Sequence, residues 1–226
     1  MDTKWLTVTV LVQAASILVG FVVFMLNPKA GRREFFLLGL LLLLSLIQDL
    51  VGIVFGILLR HNVNVLNSIV FPFKLSLFLL FYKNKIDSRG TAQAINAAIC
   101  FLGAFALTNL LFIQKTSINS YTSVFGQVCM ILISIRYFYL LILELPTESI
   151  TKLPMFWINT AVLIYFSGTF FQYLAADYLV TVLNDNLINS WTLKNFVGIF
   201  YYAMLSFALW LNRSILLQVP ASSANN

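Results

Sequence analysis

Seven long apolar runs account for almost the whole chain and leave room for little else. To within a few residues they cover 5–26, 35–60, 65–82, 92–113, 121–144, 155–180 and 192–213. A helix needs roughly 20 apolar residues to cross a bilayer, and each run approaches or exceeds this length. The chain is 60% hydrophobic and 10% charged, whereas a soluble domain carries about 25% charged residues. The sequence therefore predicts an all-α, polytopic integral membrane protein with seven transmembrane helices.

The short connections between the runs limit what else the chain can contain. We expect a single seven-helix transmembrane domain over 1–226, with a short cytoplasmic tail at 214–226. No connection is long enough to fold as a separate catalytic or nucleic-acid-binding domain. His61 is the only histidine, so the sequence supports neither a histidine-rich metal site nor a histidine-based triad. We expect no enzyme activity and no cofactor.

The distribution of lysine and arginine between the connections sets the expected orientation. Basic residues concentrate on the cytoplasmic side of membrane proteins. One set of connections carries eight of them and the other carries four, so we expect the N-terminus outside and the C-terminus inside. The larger set comprises Lys29, Arg32, Arg33, Lys83, Lys85, Arg89, Lys152 and Arg213, and the smaller set comprises Lys4, Arg60, Lys115 and Lys194.

Spans one to three bear a faint likeness to spans five to seven. Asn67 and the pair Asn84-Lys85 in the third span match Asn195 and the pair Asn212-Arg213 in the seventh at the same separation. This pattern is typical of a 3+1+3 parallel repeat in which the fourth span is a linker. Parallel repeats in transporters place a binding site between the two halves.

Three ionisable residues lie well inside the predicted spans. Asp49 is near the middle of the second span, Lys74 is near the middle of the third, and Arg136 lies in the fifth. Each charge at such a depth costs at least about 2.5–3.5 kcal/mol unless it is paired or hydrated. An ion pair between Asp49 and Lys74 is the simplest arrangement, with Arg136 competing for Asp49 or reaching Glu144. The pair could be structural, line a polar pocket or belong to a proton or ion relay. The surplus positive charge could attract an anionic ligand, or could equally be met by water or by Glu144.

The stretch 156–174, within the sixth run, is apolar but carries regularly spaced polar side chains. On a helical wheel Tyr165, Thr169 and Gln172 share one face. Polar groups in hydrocarbon need partners, so this face should look inward, either as contacts between helices or as the wall of a pocket open to the outside. The full set of candidate ligand-binding residues is Asp49, Lys74, Arg136, Tyr165, Thr169, Gln172, Asn195 and Tyr201.

Three further patterns give expectations about packing. Gly52 and Gly56 are spaced so that another helix can approach the second span closely. Tyr82 lies at the end of a run, where aromatic residues are expected to form an interfacial belt. Lys194 lies near the outer end of the seventh run, where it could rim a mouth but is expected to be a solvated charge.

The motif Phe156-Trp-Ile-Asn, followed by Leu163-Ile-Tyr-Phe-Ser-Gly-Thr-Phe170, carries a resemblance to a protein group. This stretch and the preceding Leu153-Pro154 resemble those of small, uncharacterised seven-span membrane proteins of Bacteroidota. The resemblance implies a bacterial inner-membrane protein with a neighbouring sensor histidine kinase as partner. It assigns no functional residue.

Two functions fit this sequence. The first is a seven-helix sensory or regulatory protein that signals through a separate partner, because the chain has short loops, no output domain and polar inward faces. The alternative is a small-solute or ion transporter with a polar site near the membrane midplane, because of the repeat and the charges at Asp49, Lys74 and Arg136.

Overall fold

The computed structural model describes residues 3–59, 64–113, 120–144, 149–183 and 188–218. Within these ranges the chain is helical apart from short turns, as predicted. Seven helices in the described part are long and apolar enough to cross a membrane, which points to an integral membrane protein. Arg60, His61, Lys115 and the chain from 219 onwards lie outside this part. For Glu144 the structure describes the backbone but not the side chain.

The helices are named in chain order. The first three are α1, Thr3–Met25, the short α2, Lys29–Glu34, and α3, Phe36–Val51, which continues as a π-helical segment over Gly52–Leu58. The next three are α4, Asn64–Lys83, α5, Arg89–Thr108, with a π-helical extension over Asn109–Ile113, and α6, Ser120–Glu144. A 3-10 turn, Ile150–Lys152, precedes α7, Pro154–Thr181, and the last helix is α8, Ile188–Gln218.

Local sequence signals explain where several helices begin. The Ser88 side chain caps α5 by accepting from the Thr91 backbone N–H at 3.4 Å. Pro154 occupies the first turn of α7, where a proline costs no helical hydrogen bond. Pro72 is different because it lies inside α4, where it removes one backbone hydrogen bond. The Ser76 hydroxyl donates to the Pro72 carbonyl at 2.9 Å just beyond this break.

The spanning helices close into a ring in which the first and last helices are neighbours. α1 packs against α8 and α3, and its interface with α8 is the largest in the bundle. From α3 the ring continues through α4, α5, α6 and α7 back to α8, and α4 also touches α6. Gly39 of α3 permits the close approach of α1, because a Cβ there would collide with the Phe24 ring.

The bundle has two faces, which we name by the chain termini. The N-terminal face contains the starts of α1 and α8, joined by Asn195 and Thr9. The C-terminal face contains their ends, joined by Asn212 and Asn27. Successive spans alternate in direction, so α3 and α7 run from the C-terminal face to the N-terminal face.

Apolar side chains both fill the bundle and cover its outside. The half nearer the C-terminal face is packed with fully buried residues that include Leu42, Ile158 and Leu205, each 0% exposed. The outer surface also carries many large apolar residues, such as Leu18 and Phe171. A soluble monomer rarely exposes apolar surface on this scale, which agrees with a lipid-facing exterior.

Candidate functional site

Asp49 accepts a hydrogen bond from a neutral amide of another helix. It lies near the end of α3, immediately before the π-helical segment. Its Oδ2 accepts from Gln13 Nε2 of α1 at 2.8 Å. The Gln13 side chain itself lies against Gly198 of α8, since a Cβ at that position would collide with Gln13 Oε1. Three helices therefore determine where the Asp49 carboxylate lies.

Lys74 also bonds to an amide, which corrects the expected ion pair with Asp49. Its Nζ donates to Gln48 Oε1 of α3 at 2.8 Å, and Gln48 Nε2 donates to Asn67 Oδ1 of α4 at 2.8 Å. Within the described residues the ion pair is instead between Lys85 and Glu34, at 2.6 Å. The reason is helical geometry: consecutive residues point about 100° apart, so Gln48 faces α4 while Asp49 faces α1.

Lys194 is a member of this site that the sequence analysis missed. It is partly buried in α8, with its Nζ 4.9 Å from the centre of the Trp191 ring and 5.8 Å from that of Tyr173. The ammonium also interacts with the Tyr173 hydroxyl. The expectation of a solvated Lys194 is therefore wrong. Its spacing from Trp191, three residues along one helix, is the sequence signal that could have revealed the contact.

These groups form a central cluster, which we define as Gln13, Gln48, Asp49, Lys74 and Lys194. Both lysine charges act on the Asp49 carboxylate. The cluster contains one carboxyl group and two amino groups, so with all three ionised it carries one excess positive charge. A charge inside a membrane protein must find an anion, water or polar groups, and the partners that the structure shows here are the Gln13 and Gln48 amides and the Trp191 ring.

Aromatic rings form the wall of the central cluster. The Tyr165 ring of α7 lies 4.6 Å from the Tyr201 ring of α8, and the Tyr201 ring lies 4.9 Å from that of Tyr202. Asp49 and Lys194 are both close enough to Tyr165 to interact with its hydroxyl electrostatically. Tyr165 and Tyr201, two of the candidate residues, therefore lie side by side, and Tyr202 lies next to Tyr201.

The remaining candidates of α7 and α8 join helices to one another. Gln172 Nε2 donates to the Ser190 carbonyl of α8 at 2.6 Å, and Asn195 Nδ2 donates to Thr9 Oγ1 of α1 at 3.4 Å. Thr169 is buried, as its place on the inward face predicts, and its hydroxyl donates to the Tyr165 carbonyl of its own helix at 2.8 Å. These contacts match the helix-packing interpretation of the polar face.

Arg136 is not brought to the central cluster. It lies on an exposed part of α6, where its guanidinium is 5.5 Å from the centre of the Tyr139 ring. It lines a separate groove between α4, α5 and α6. Of the three charges expected to meet, the structure therefore brings together Asp49 and Lys74 and turns Arg136 outward.

A second buried polar network joins α4, α6 and α7 nearer the C-terminal face. Asn159 Oδ1 accepts from the Tyr82 hydroxyl at 2.6 Å and from the Ser134 hydroxyl at 2.8 Å. Asn159 Nδ2 donates to the Ser134 carbonyl at 3.0 Å. Tyr82 is 0% exposed, so the expectation that it belongs to an interfacial belt is wrong.

Comparison with protein-family models, with curated proteins and with solved structures finds no match. The chemistry of the central cluster therefore has to be inferred from its own residues.

Proposed function

We propose that this chain is a seven-helix sensory membrane protein that binds a small anionic solute at the central cluster. The observation that carries the proposal is the bonding of the cluster charges: Asp49 bonds to the Gln13 amide and Lys74 to the Gln48 amide, so neither charge is neutralised by direct contact with the other. The aromatic walls and the few polar groups are the composition typical of small-molecule sites.

The proposal includes an orientation and a location. The C-terminal face carries most of the basic residues, including Arg32, Arg33 and Arg213, which favours placing it in the cytoplasm. The central cluster would then be reached from outside a bacterial inner membrane. The 3+1+3 repeat remains part of the hypothesis, with the cluster between its two halves.

The half of the bundle beyond the cluster favours sensing over passage. There the interior is filled by fully buried apolar residues such as Leu42 and Leu205. The Tyr82, Asn159 and Ser134 network closes the space between α4, α6 and α7. A solute bound at the cluster would therefore meet a packed apolar layer on the way to the C-terminal face.

The same helices carry the cluster and the contacts at the opposite face. α8 holds Lys194 near its start and Asn212 near its end, 18 residues apart in sequence, or about 27 Å along a helix. α1 likewise holds Gln13, and Asn27, two residues beyond its end, bonds to Asn212 and to the Leu209 carbonyl of α8. A shift of α1 against α8 at the cluster would therefore reach the cytoplasmic face, where a sensor histidine kinase is the proposed partner.

Calorimetric titration of the purified protein in nanodiscs tests ligand binding, with small carboxylates and inorganic phosphate as probes. We expect at least one of these anions to bind and Lys194→Met to weaken it at least about tenfold, the loss of one charge-assisted contact. Lys4→Met removes an exposed charge from the same face and should change nothing. Equal binding by the Lys194→Met and Lys4→Met variants would refute the proposed site.

Transport is the second candidate function, and one observation favours it. Two of the three helices that carry the cluster charges are interrupted beside them: α3 becomes π-helical after Val51, and α4 contains Pro72. Interrupted helices next to buried charges are frequent at functional sites and in transporters. Proteoliposomes containing this protein alone decide between the two functions, because uptake of the bound anion supports transport whereas binding without uptake supports sensing.

A further inference from the structure

A groove on the outside of the bundle, remote from the central cluster, lies between α4, α5 and α6. It encloses about 380 Å³ and is lined mostly by apolar residues, among them Leu79, Ala94, Ala98 and Ile133. Its rim includes Leu132, whose side chain is 62% exposed on the outer surface of the bundle. The groove therefore opens sideways, toward the region that the lipid would occupy.

The groove extends from the C-terminal face toward the middle of the bundle. On α5 its lining begins at Gly90, one residue after the start of the helix, and reaches Ala98. Eight residues of helix correspond to about 12 Å, which is nearly half of a hydrocarbon core of about 30 Å. The absence of a side chain at Gly90 and the small side chain of Ala94 leave the space that an extended chain of methylene groups would fill.

Arg136 provides the charged part of the groove. Its contact among the described side chains is the Tyr139 ring, at 5.5 Å. It lies eight residues before the end of α6, about 12 Å along the helix, a depth from which an arginine side chain can reach the headgroup region. A guanidinium remains ionised and binds phosphate through two parallel hydrogen bonds.

We propose that this groove binds an anionic phospholipid of the leaflet at the C-terminal face. The lipid phosphate would contact the Arg136 guanidinium, and one acyl chain would lie against Leu79, Ala94 and Ala98. Charge complementarity favours this occupant, because Lys83 and Arg89 lie at the same face and basic residues there attract anionic lipids. The lateral opening and the apolar lining distinguish a lipid from a soluble phosphate. The proposal is independent of the function of the central cluster.

Native mass spectrometry of the detergent-purified protein, titrated with phosphatidylglycerol or phosphatidylcholine, tests this site. The wild-type chain should retain phosphatidylglycerol in preference to phosphatidylcholine. Arg136→Gln should lower the affinity for phosphatidylglycerol about tenfold and leave that for phosphatidylcholine unchanged. Lys152→Gln is the matched control, since it removes an exposed charge from the same face and should have no effect. Absence of a preference in the wild type, or equal losses in both variants, would overturn the proposal.

A second pair of variants tests the acyl-chain part of the groove. Ala94→Phe should fill it and reduce retention of both lipids several-fold. Gly103→Phe on the same helix projects into open space and should retain both. Thermal melting establishes whether each variant is folded. If Ala94→Phe does not fold, the comparison of Arg136→Gln with Lys152→Gln decides whether the groove binds the lipid. Displacement of the lipid by millimolar glycerol phosphate would contradict the proposal in favour of a water-soluble phosphate.

Discussion

A methyl group added at Gly198 of α8 should disrupt the central cluster without changing any residue in it. A Cβ at this position would collide with Gln13 Oε1 and lie 3.1 Å from Gln13 Cδ. The amide is the free end of a flexible side chain, so it would move away. In doing so it would give up the 2.8 Å hydrogen bond from Gln13 Nε2 to Asp49 Oδ2. Gly198→Ala should therefore act on Asp49 entirely through Gln13.

Two opposing contributions determine the size of this effect. A hydrogen bond to a charged group contributes about 1.5–3 kcal/mol, and interhelical hydrogen bonds in membranes reach about 1.7 kcal/mol, so we take about 1.5 kcal/mol for the bond to Asp49. Alanine in place of glycine inside a helix favours folding by about 0.5–1 kcal/mol. The net expectation is a destabilisation of about 0.5–1 kcal/mol. In a Gln13→Ala background there is no amide to displace, so Gly198→Ala should stabilise the protein by about 0.5–1 kcal/mol.

The sign of the Gly198→Ala effect should therefore reverse between the two backgrounds. Unfolding of the four proteins by dodecyl sulfate in mixed micelles, followed by circular dichroism, measures both free-energy changes. Gly168→Ala of α7 is the control, because a Cβ there would lie at an ordinary contact distance, 3.8 Å, from Val197. This substitution should have the same effect with and without Gln13. Equal effects of Gly198→Ala with and without Gln13 would show that the amide does not bridge Gly198 and Asp49.

Three further predictions concern the rest of the bundle. Tyr82→Phe should lower the unfolding free energy by about 0.6–1.7 kcal/mol, the range for one interhelical hydrogen bond. Asn159→Ala should lower it more in the same assay, because it removes the partner of two hydroxyls. A smaller loss in Asn159→Ala than in Tyr82→Phe would contradict this prediction. Gln172→Leu should lower the melting temperature by removing the bond to Ser190, with any anion binding falling only in proportion to folded protein. A reporter fused after Asn226 should read as cytoplasmic, and a periplasmic reading would reverse the proposed orientation.

The number of spans and the inward face of α7 were predictable from the sequence because both follow from simple periodic rules. Crossing a bilayer needs a long apolar run, so the runs were visible without knowledge of the contacts between them. The helical repeat places Tyr165, Thr169 and Gln172 on one side of α7, where Thr169 is buried and the other two are partly buried. Such rules depend on one helix at a time.

The partners of the charged residues were not predictable in the same way, because they depend on how each helix is rotated about its axis. Asp49 and Lys74 do lie in neighbouring helices, as the sequence indicated. A rotation that turns Gln48 toward α4 nevertheless turns Asp49 toward α1. The expected position of Arg136 was further from the observed one. The rotation of α6 about its axis could not be predicted, and the side chain lies on the surface of the bundle rather than inside it.

Lys194 was missed because the end of a helix is difficult to locate from apolar composition. The apolar run begins at residue 192 and places Lys194 at the boundary of the membrane. In the structure α8 begins at Ile188, which puts Lys194 six residues, or about 9 Å, inside the helix. The glycine spacing in the second span also gave an expectation that does not hold at Gly52, which faces open space. The close contacts between helices are instead at Gly39 and Gly198.

The bonding of the cluster charges to neutral amides, rather than to each other, favours a binding site over a structural ion pair. Asp49 bonds to Gln13, and Lys74 bonds to Gln48. A direct salt bridge would satisfy both charges, and a ligand anion would have to compete with a full negative charge for the ammonium group. The Gln48 oxygen carries only a partial charge, so its attraction to the Lys74 ammonium is weaker than that of a full negative charge at the same distance. We therefore expect an incoming carboxylate or phosphate to compete with the Gln48 oxygen for Lys74, while Gln13 continues to hold Asp49 toward α1.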